Sequence, residues 1–185
     1  VETVLPGGCR IGARPVDLHL SGLKALGAQC REEGERLILT APSGLRGADI
    51  TLRFPSVGAT ETLLLAAATA QGSTTLRGAA REPEIADLAA FLCRCGASIR
   101  GAGTSTIRVE GRRTLAGCTF APVADRIIAS TLACAAAAAG GRVELAGCAP
   151  GLYAPLLEIL EQMGCTVECA RDAAAISRFG ALRGA

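Results

Sequence analysis

A repeat of about 68 residues limits the architecture of this chain more than any other feature of its sequence. Three segments with helical apolar spacing, 22–28, 91–97 and 158–165, each run into a glycine and then into strand-like alternation. The glycines are Gly27, Gly96 and Gly164, which stand 69 and 68 positions apart. Glycine suits the residue after a helix because it takes the left-handed conformation without a side-chain clash. A second set of markers keeps the same phase: Leu45-Arg46-Gly47, Leu115-Ala116-Gly117 and Leu182-Arg183-Gly184. Two markers in one phase identify a structural unit repeated along the chain.

One unit reads in full between Ala48 and Gly117. Its pattern predicts a strand at Ile50–Phe54, a helix at Ala59–Gln71 closed by Gly72, and a strand at Thr74–Arg77. Pro83 fits the first turn of a helix reaching Cys95. Ser98–Arg100 and Thr106–Glu110 are expected to pair across Gly101-Ala102-Gly103-Thr104, so the unit is βαβαββ. The next copy starts at Cys118, with helices expected at Ala124–Ala139 and Gly151–Met163. In the earliest copy the opening strand, helix and strand are expected to be missing before Pro15. Both ends look cut, and the chain is expected to be an internal piece of a longer protein.

Composition removes several classes of function. Half of the 185 residues are hydrophobic, the formal net charge is +2, and the charges are scattered. That pattern argues against a basic surface for nucleic acid or anionic membrane. Aromatic residues are scarce and Trp is absent, which disfavours a base-stacking platform. Arg126 and Arg142 bracket only about fifteen uncharged residues, where a membrane span needs about twenty strongly apolar ones. No basic start leads into an apolar stretch over residues 1–20, so no export signal is read and a cytoplasmic protein is expected. The nine cysteines include no Cys-x-x-Cys, and His19 is the only histidine, so zinc sites are disfavoured. Reduced thiols serving as small buried residues are the expectation for eight of the nine. Lys24 is the only lysine and falls on a solvated helix face, which leaves no candidate for a phosphate-loop or Schiff-base lysine.

Gly101-Ala102-Gly103 is not a dinucleotide loop. That fingerprint leads a strand into a helix, and these glycines join two strands.

The chemistry concentrates in residues 5–19. Pro6, Gly7, Gly8 and Gly12 deny this stretch regular structure and make it an exposed loop. Cys9 sits at its tip beside Arg10, with Arg14 close by, and positive neighbours favour the reactive thiolate. The plain alternative is an ordinary loop cysteine. Arg14-Pro15-Val16-Asp17 then starts a helix, with Pro15 expected at the first helical position and Asp17 in the first turn. Free N–H groups with a guanidinium beside them can hold a diphosphate, and Asp17 can accept from a neutral N–H donor. Simple capping by Arg14 and Asp17 is the competing reading. Ser56-Val57-Gly58-Ala59-Thr60-Glu61 repeats the arrangement at the next helix start, where capping competes with anion binding. His19 reads as a satisfied surface or core histidine.

These stretches resemble a known family. Pro6-Gly7-Gly8-Cys9 with Ile11-Gly12, then Arg14-Pro15-Val16-Asp17-Leu18-His19, is similar to the signature loop of UDP-N-acetylglucosamine enolpyruvyl transferases. Ser56–Glu61, Ala80-Arg81-Glu82-Pro83-Glu84-Ile85, Gly101–Thr104 and Asp125-Arg126-Ile127 match the same family in order and spacing. The sister family acting on 3-phosphoshikimate shares the repeats and lacks the cysteine loop. The resemblance implies an α/β fold, the inside-out α/β barrel of βαβαββ units. Residues 1–121 would then belong to the first domain and residues 122–185 to the opening repeat of the second. It implies that Cys9 is the catalytic thiol, bonding to phosphoenolpyruvate, donating a proton and reacting with fosfomycin. Arg14, Pro15, Val16, Asp17 and Leu18 would bind the uridine diphosphate, and Ser56, Val57 and Gly58 would form the second diphosphate-contacting turn. The implied partners are UDP-N-acetylglucosamine, phosphoenolpyruvate and the remaining segments of the full-length chain, with no metal or organic cofactor. The family's lysine–asparagine pair and second-domain aspartate are expected outside this chain, which alone is expected to be inactive. Departures from the family pattern are Ile128, where Glu is usual, Ser130, where Gly is usual, and Phe54, where some members carry a basic residue.

Overall fold

The computed structural model describes residues 1–4, 15–34 and 36–184. Two compact units divide the chain, Val1–Ala121 and Pro122–Ala185. The first holds β1 (Glu2–Val4), α1 (Asp17–Ala25), β2 (Gln29–Glu33), β3 (Arg36–Thr40) and β4 (Asp49–Thr51). It continues with α2 (Val57–Thr69), β5 (Ser73–Arg77), α3 (Pro83–Arg94), β6 (Ser98–Arg100) and β7 (Thr106–Glu110). The second holds α4 (Arg126–Ala139), β8 (Gly141–Ala146), α5 (Ala154–Gln162), β9 (Thr166–Cys169) and β10 (Ala173–Arg178).

The repeat is structural. Three sheets run β1-β3-β2, β4-β5-β7-β6 and β8-β10-β9. In each, the strand after the glycine-ended helix forms an antiparallel hairpin with the next strand. That next strand also pairs antiparallel with one from earlier in the copy. Gly27, Gly96 and Gly164 have φ of 95°, 101° and 99°. Each donates to the carbonyl three residues back, and the following residue donates to the carbonyl five back, all six bonds at 2.9 Å. This double bond pattern ties off the orphan carbonyls of a helix end. The second marker is held by the first. Arg46, Ala116 and Arg183 donate their backbone N–H to Leu26, Cys95 and Met163, at 2.8, 2.8 and 2.9 Å. Each of those acceptors is the residue before the marker glycine, so both sequence signals describe one tertiary joint.

The structure corrects some expected details. Glu2–Val4 forms β1, so the earliest copy keeps the strand that β5 and β8 supply in the others. Three residues before a Pro-Gly-Gly break are too few to show alternation. The helix over the expected 124–139 starts at Arg126, because the Asp125 carboxylate accepts from Ile127 N at 2.8 Å and Ile128 N at 3.1 Å and so fixes the cap. Residues 114–125 contain no helix or strand. Within this stretch, residues 116–120 lie along the end of α3, where the Phe91 and Phe120 rings meet edge to face with centroids 5.5 Å apart.

The core of the first unit is built from branched aliphatics. Leu26, Leu64, Ile85 and Ile107 are fully buried beside Leu63, Leu76 and Val109. Each such side chain is worth about 1.5–3 kcal/mol relative to exposure. The second unit buries Ala129, Ala133, Ala136 and Ala137 of α4 against Leu145, Leu157, Leu160 and Ile176. No helix among the described residues is long and apolar enough to cross a membrane.

Candidate substrate-binding site

The helices α1 and α2 lie side by side and parallel. Asp17 meets Arg53 just before α2, His19 meets Thr62, and Gly22 faces Leu63, so the paired positions climb together along both helices. A Cβ on Gly22 would fall 2.4 Å from Leu63 Cδ2, which shows how closely the axes approach. A Cβ on Gly58 would fall 3.3 Å from His19 Cε1. Gly58 therefore serves helix packing, a use that its neighbours in sequence do not reveal. The parallel arrangement places both helix N-termini at one end. The first-turn N–H groups and positive dipole ends of both helices add there, a setting suited to an anion with two charged groups.

Each N-terminus is built differently. At α2 the Ser56 hydroxyl accepts from Ala59 N at 3.3 Å and caps the helix. Thr60 is fully buried; its hydroxyl donates to Ser56 O at 2.8 Å and accepts from Ala80 N at 3.1 Å. That side chain fixes the loop after β5 against the start of α2. At α1, Val16 occupies the cap with no side-chain cap bond, and Asp17 opens the helix. Pro15, expected at the first helical position, stands one residue before the cap, since the Val16 carbonyl already accepts from Leu20 N at 3.0 Å. Leu18 is buried in the core, so only its backbone is offered to a ligand.

Asp17 is not free. Arg53 Nη2 lies 2.6 Å from Asp17 Oδ2, with both side chains well exposed, and the guanidinium carbon is 5.6 Å from the Phe54 ring centre. Sequence reasoning missed Arg53, because a charge pair 36 residues apart leaves no local signal. It also missed Thr60 and Thr62, although Thr60 falls inside a stretch already singled out. Half-buried His19 is satisfied by Thr62 at 3.0 Å, as its plain reading requires. Lys24 is exposed in the last turn of α1. Cys9 and Arg14 lie outside the described residues.

A cavity of about 480 Å³ adjoins the start of α2, lined by Pro55, Gly78, Ala79, Arg81, Glu82 and Ser105. Glu82 stands immediately before α3 and Ser105 leads into β7, so loops from three elements converge there. Gly78, with φ of 69°, is required because a Cβ would meet Leu52 O at 2.5 Å. The dinucleotide reading of the Gly101 region stays excluded. Gly101 and Gly103, both with φ of 82°, turn β6 into β7, and Thr104 Oγ1 donates to Gly101 O at 2.8 Å. No group of three His, Cys, Asp or Glu side chains suited to a metal occurs among the described residues.

This architecture, one complete βαβαββ unit flanked by partial copies, is the enolpyruvyl transferase fold. The crystal structure of the enolpyruvyl transferase NikO from Streptomyces tendae superposes with a TM-score of 0.76 at 26% identity, over 90% of this chain and 42% of that one. The chain belongs to the EPSP synthase (3-phosphoshikimate 1-carboxyvinyltransferase) family, whose model matches residues 1–184. Within it, the chain is 48% identical over 166 residues to the UDP-N-acetylglucosamine 1-carboxyvinyltransferase of Finegoldia magna, covering 90% of this chain and 39% of that protein. It is 51% identical over 177 residues to the protein of the same name from Maricaulis maris, covering 95% and 42%. The chain thus spans about two-fifths of the length of the curated relatives it matches.

Proposed function

We propose that this chain is part of an enzyme that moves the enolpyruvyl group of phosphoenolpyruvate onto the 3-hydroxyl of UDP-N-acetylglucosamine. The observation that carries the proposal is the pair of parallel helix starts in the first unit, in a chain about half identical to relatives named for that reaction. The start of α1, with Arg14, Pro15, Val16, Asp17 and Leu18, receives the uridine diphosphate. Ser56, Val57 and Gly58 offer backbone N–H groups to the same diphosphate. Arg53 releases Asp17 as the uracil N–H takes its place, and its guanidinium then faces the phosphates. It supplies the positive charge that Phe54 does not.

The chemistry is an addition followed by an elimination. The sugar 3-hydroxyl gives its proton to a base outside this chain as its oxygen bonds to C2 of phosphoenolpyruvate, while C3 takes a proton from the Cys9 thiol and leaves the thiolate. A base then takes a proton from C3, the C3–H electron pair restores the double bond, and the C2–O pair leaves with inorganic phosphate. Loop closure keeps water from the intermediate. In this reading residues 1–121 belong to the first domain and residues 122–185 open the second. The reaction is the first committed step of peptidoglycan precursor synthesis, carried out in the cytoplasm.

The test is phosphate release by the full-length protein. Turnover is expected with UDP-N-acetylglucosamine and phosphoenolpyruvate, lost in Cys9→Ala and blocked by fosfomycin. Turnover with 3-phosphoshikimate and none with the UDP-sugar would contradict the assignment.

A further inference from the structure

We propose that Cys95 and Cys118 form a thiol–disulfide modification site, closed by low-molecular-weight disulfides such as glutathione disulfide. Their sulfurs lie 3.5 Å apart, and a bond requires about 2.05 Å, a distance reached by small side-chain rotations. The two backbones are already joined nearby. Ala116 N donates to Cys95 O at 2.8 Å, and Arg94 Nη2 donates to Thr119 O at 3.5 Å. With Phe120 against Phe91 and Leu115 packed on the core, residues 115–120 form a strap across the end of α3. This strap leads directly to Pro122, where the second unit begins. A Cys95–Cys118 bond fastens it covalently.

The two thiols have different roles. Cys118 is half-buried and the more accessible; Cys95 is buried. Burial, with the Cys118 thiol against it, pushes the Cys95 thiol up from its ordinary range. The Cys118 thiolate attacks the external disulfide, one glutathione thiolate leaves, and Cys118 holds the other half as a mixed disulfide. The Cys95 thiolate then attacks the Cys118 sulfur and expels the second glutathione thiolate. Two protein thiols have become one disulfide, and one glutathione disulfide has become two glutathiones. This site stands independently of the proposed transferase reaction.

The full-length protein is equilibrated in glutathione redox buffers, acid-quenched, alkylated with N-ethylmaleimide and mapped without reduction. A Cys95–Cys118 linked peptide pair is expected while the exposed Cys93, Cys134 and Cys169 carry at most one glutathione each. Cys118→Ser loses the link and leaves Cys95 unglutathionylated. Amide exchange over 115–120 slows several-fold in the oxidised protein, and not in Cys118→Ser. Recovery of Cys95 and Cys118 as alkylated thiols, when Cys93, Cys134 and Cys169 are already glutathionylated, overturns the site. A link that forms without slowing exchange overturns the strap.

Discussion

The two units use the same repeat and differ in how far its apolar faces are covered. In the first unit α2 lies beside both α1 and α3, and Leu63 and Leu64 are buried. In the second unit α4 packs on β8, β10 and α5 through small alanines, while Ile127, Ile128 and Leu132 remain 58%, 59% and 48% exposed. Their helix starts differ in the same way. The first turn of α2 carries half-buried Val57 and Gly58 beside a second helix start, whereas that of α4 presents two exposed isoleucines after Asp125. The repeat therefore fixes the backbone, while the residues at each helix start differ from copy to copy.

The largest effect expected from this contrast concerns burial. Leu64→Ala removes a fully buried side chain and is expected to cost about 2–5 kcal/mol in urea unfolding of this 185-residue chain. Ile128→Ala is expected to stay within about 0.5 kcal/mol in the same chain. Equal losses would mean that α4 is covered as fully as α2.

A smaller effect separates equivalent glycines of the second marker. A Cβ on Gly47 would lie 2.2 Å from Ser73 O, a backbone atom, while one on Gly117 meets nothing within 4 Å. Gly47→Ala is expected to cost about 1–3 kcal/mol and Gly117→Ala almost nothing, by the same unfolding measurement. Matching losses would show that the joint is packed alike in every copy.

The smallest effect is in the second unit's surface pair. Arg142 donates to both carboxylate oxygens of Glu168, at 3.2 and 2.8 Å. These bonds, and the guanidinium charge, hold the Glu168 carboxyl below its ordinary range. A depressed folded value gives stability that is present above the unfolded carboxylate range, about pH 4.3. It fades as pH falls through the folded value. Glu168→Gln is thus expected to lower the melting temperature slightly at neutral pH and to converge with the unchanged protein in acid. A gap that persists in acid would assign the effect to packing.

The repeat was legible because glycine at positive φ is a requirement that sequence states directly, and Gly27, Gly96 and Gly164 carry it. The Ser98–Glu110 hairpin, the Pro83 helix start and the Ser56 cap were legible for the same reason: local chemistry decides them. What escaped was non-local. The Arg53–Asp17 pair, the Thr60 link to Ala80 and the His19 contact with Gly58 join residues 20 to 39 positions apart, where no periodicity points. The short β1 escaped for want of length.

The account rests on paired helix starts as the diphosphate site, and amide resonances report on those groups directly. In the full-length protein labelled with 15N, UDP-N-acetylglucosamine is expected to shift the amides of Leu18, Val57 and Gly58 more than those of the β8–β10 sheet. Unmoved resonances at both helix starts, with the largest shifts elsewhere, would contradict it.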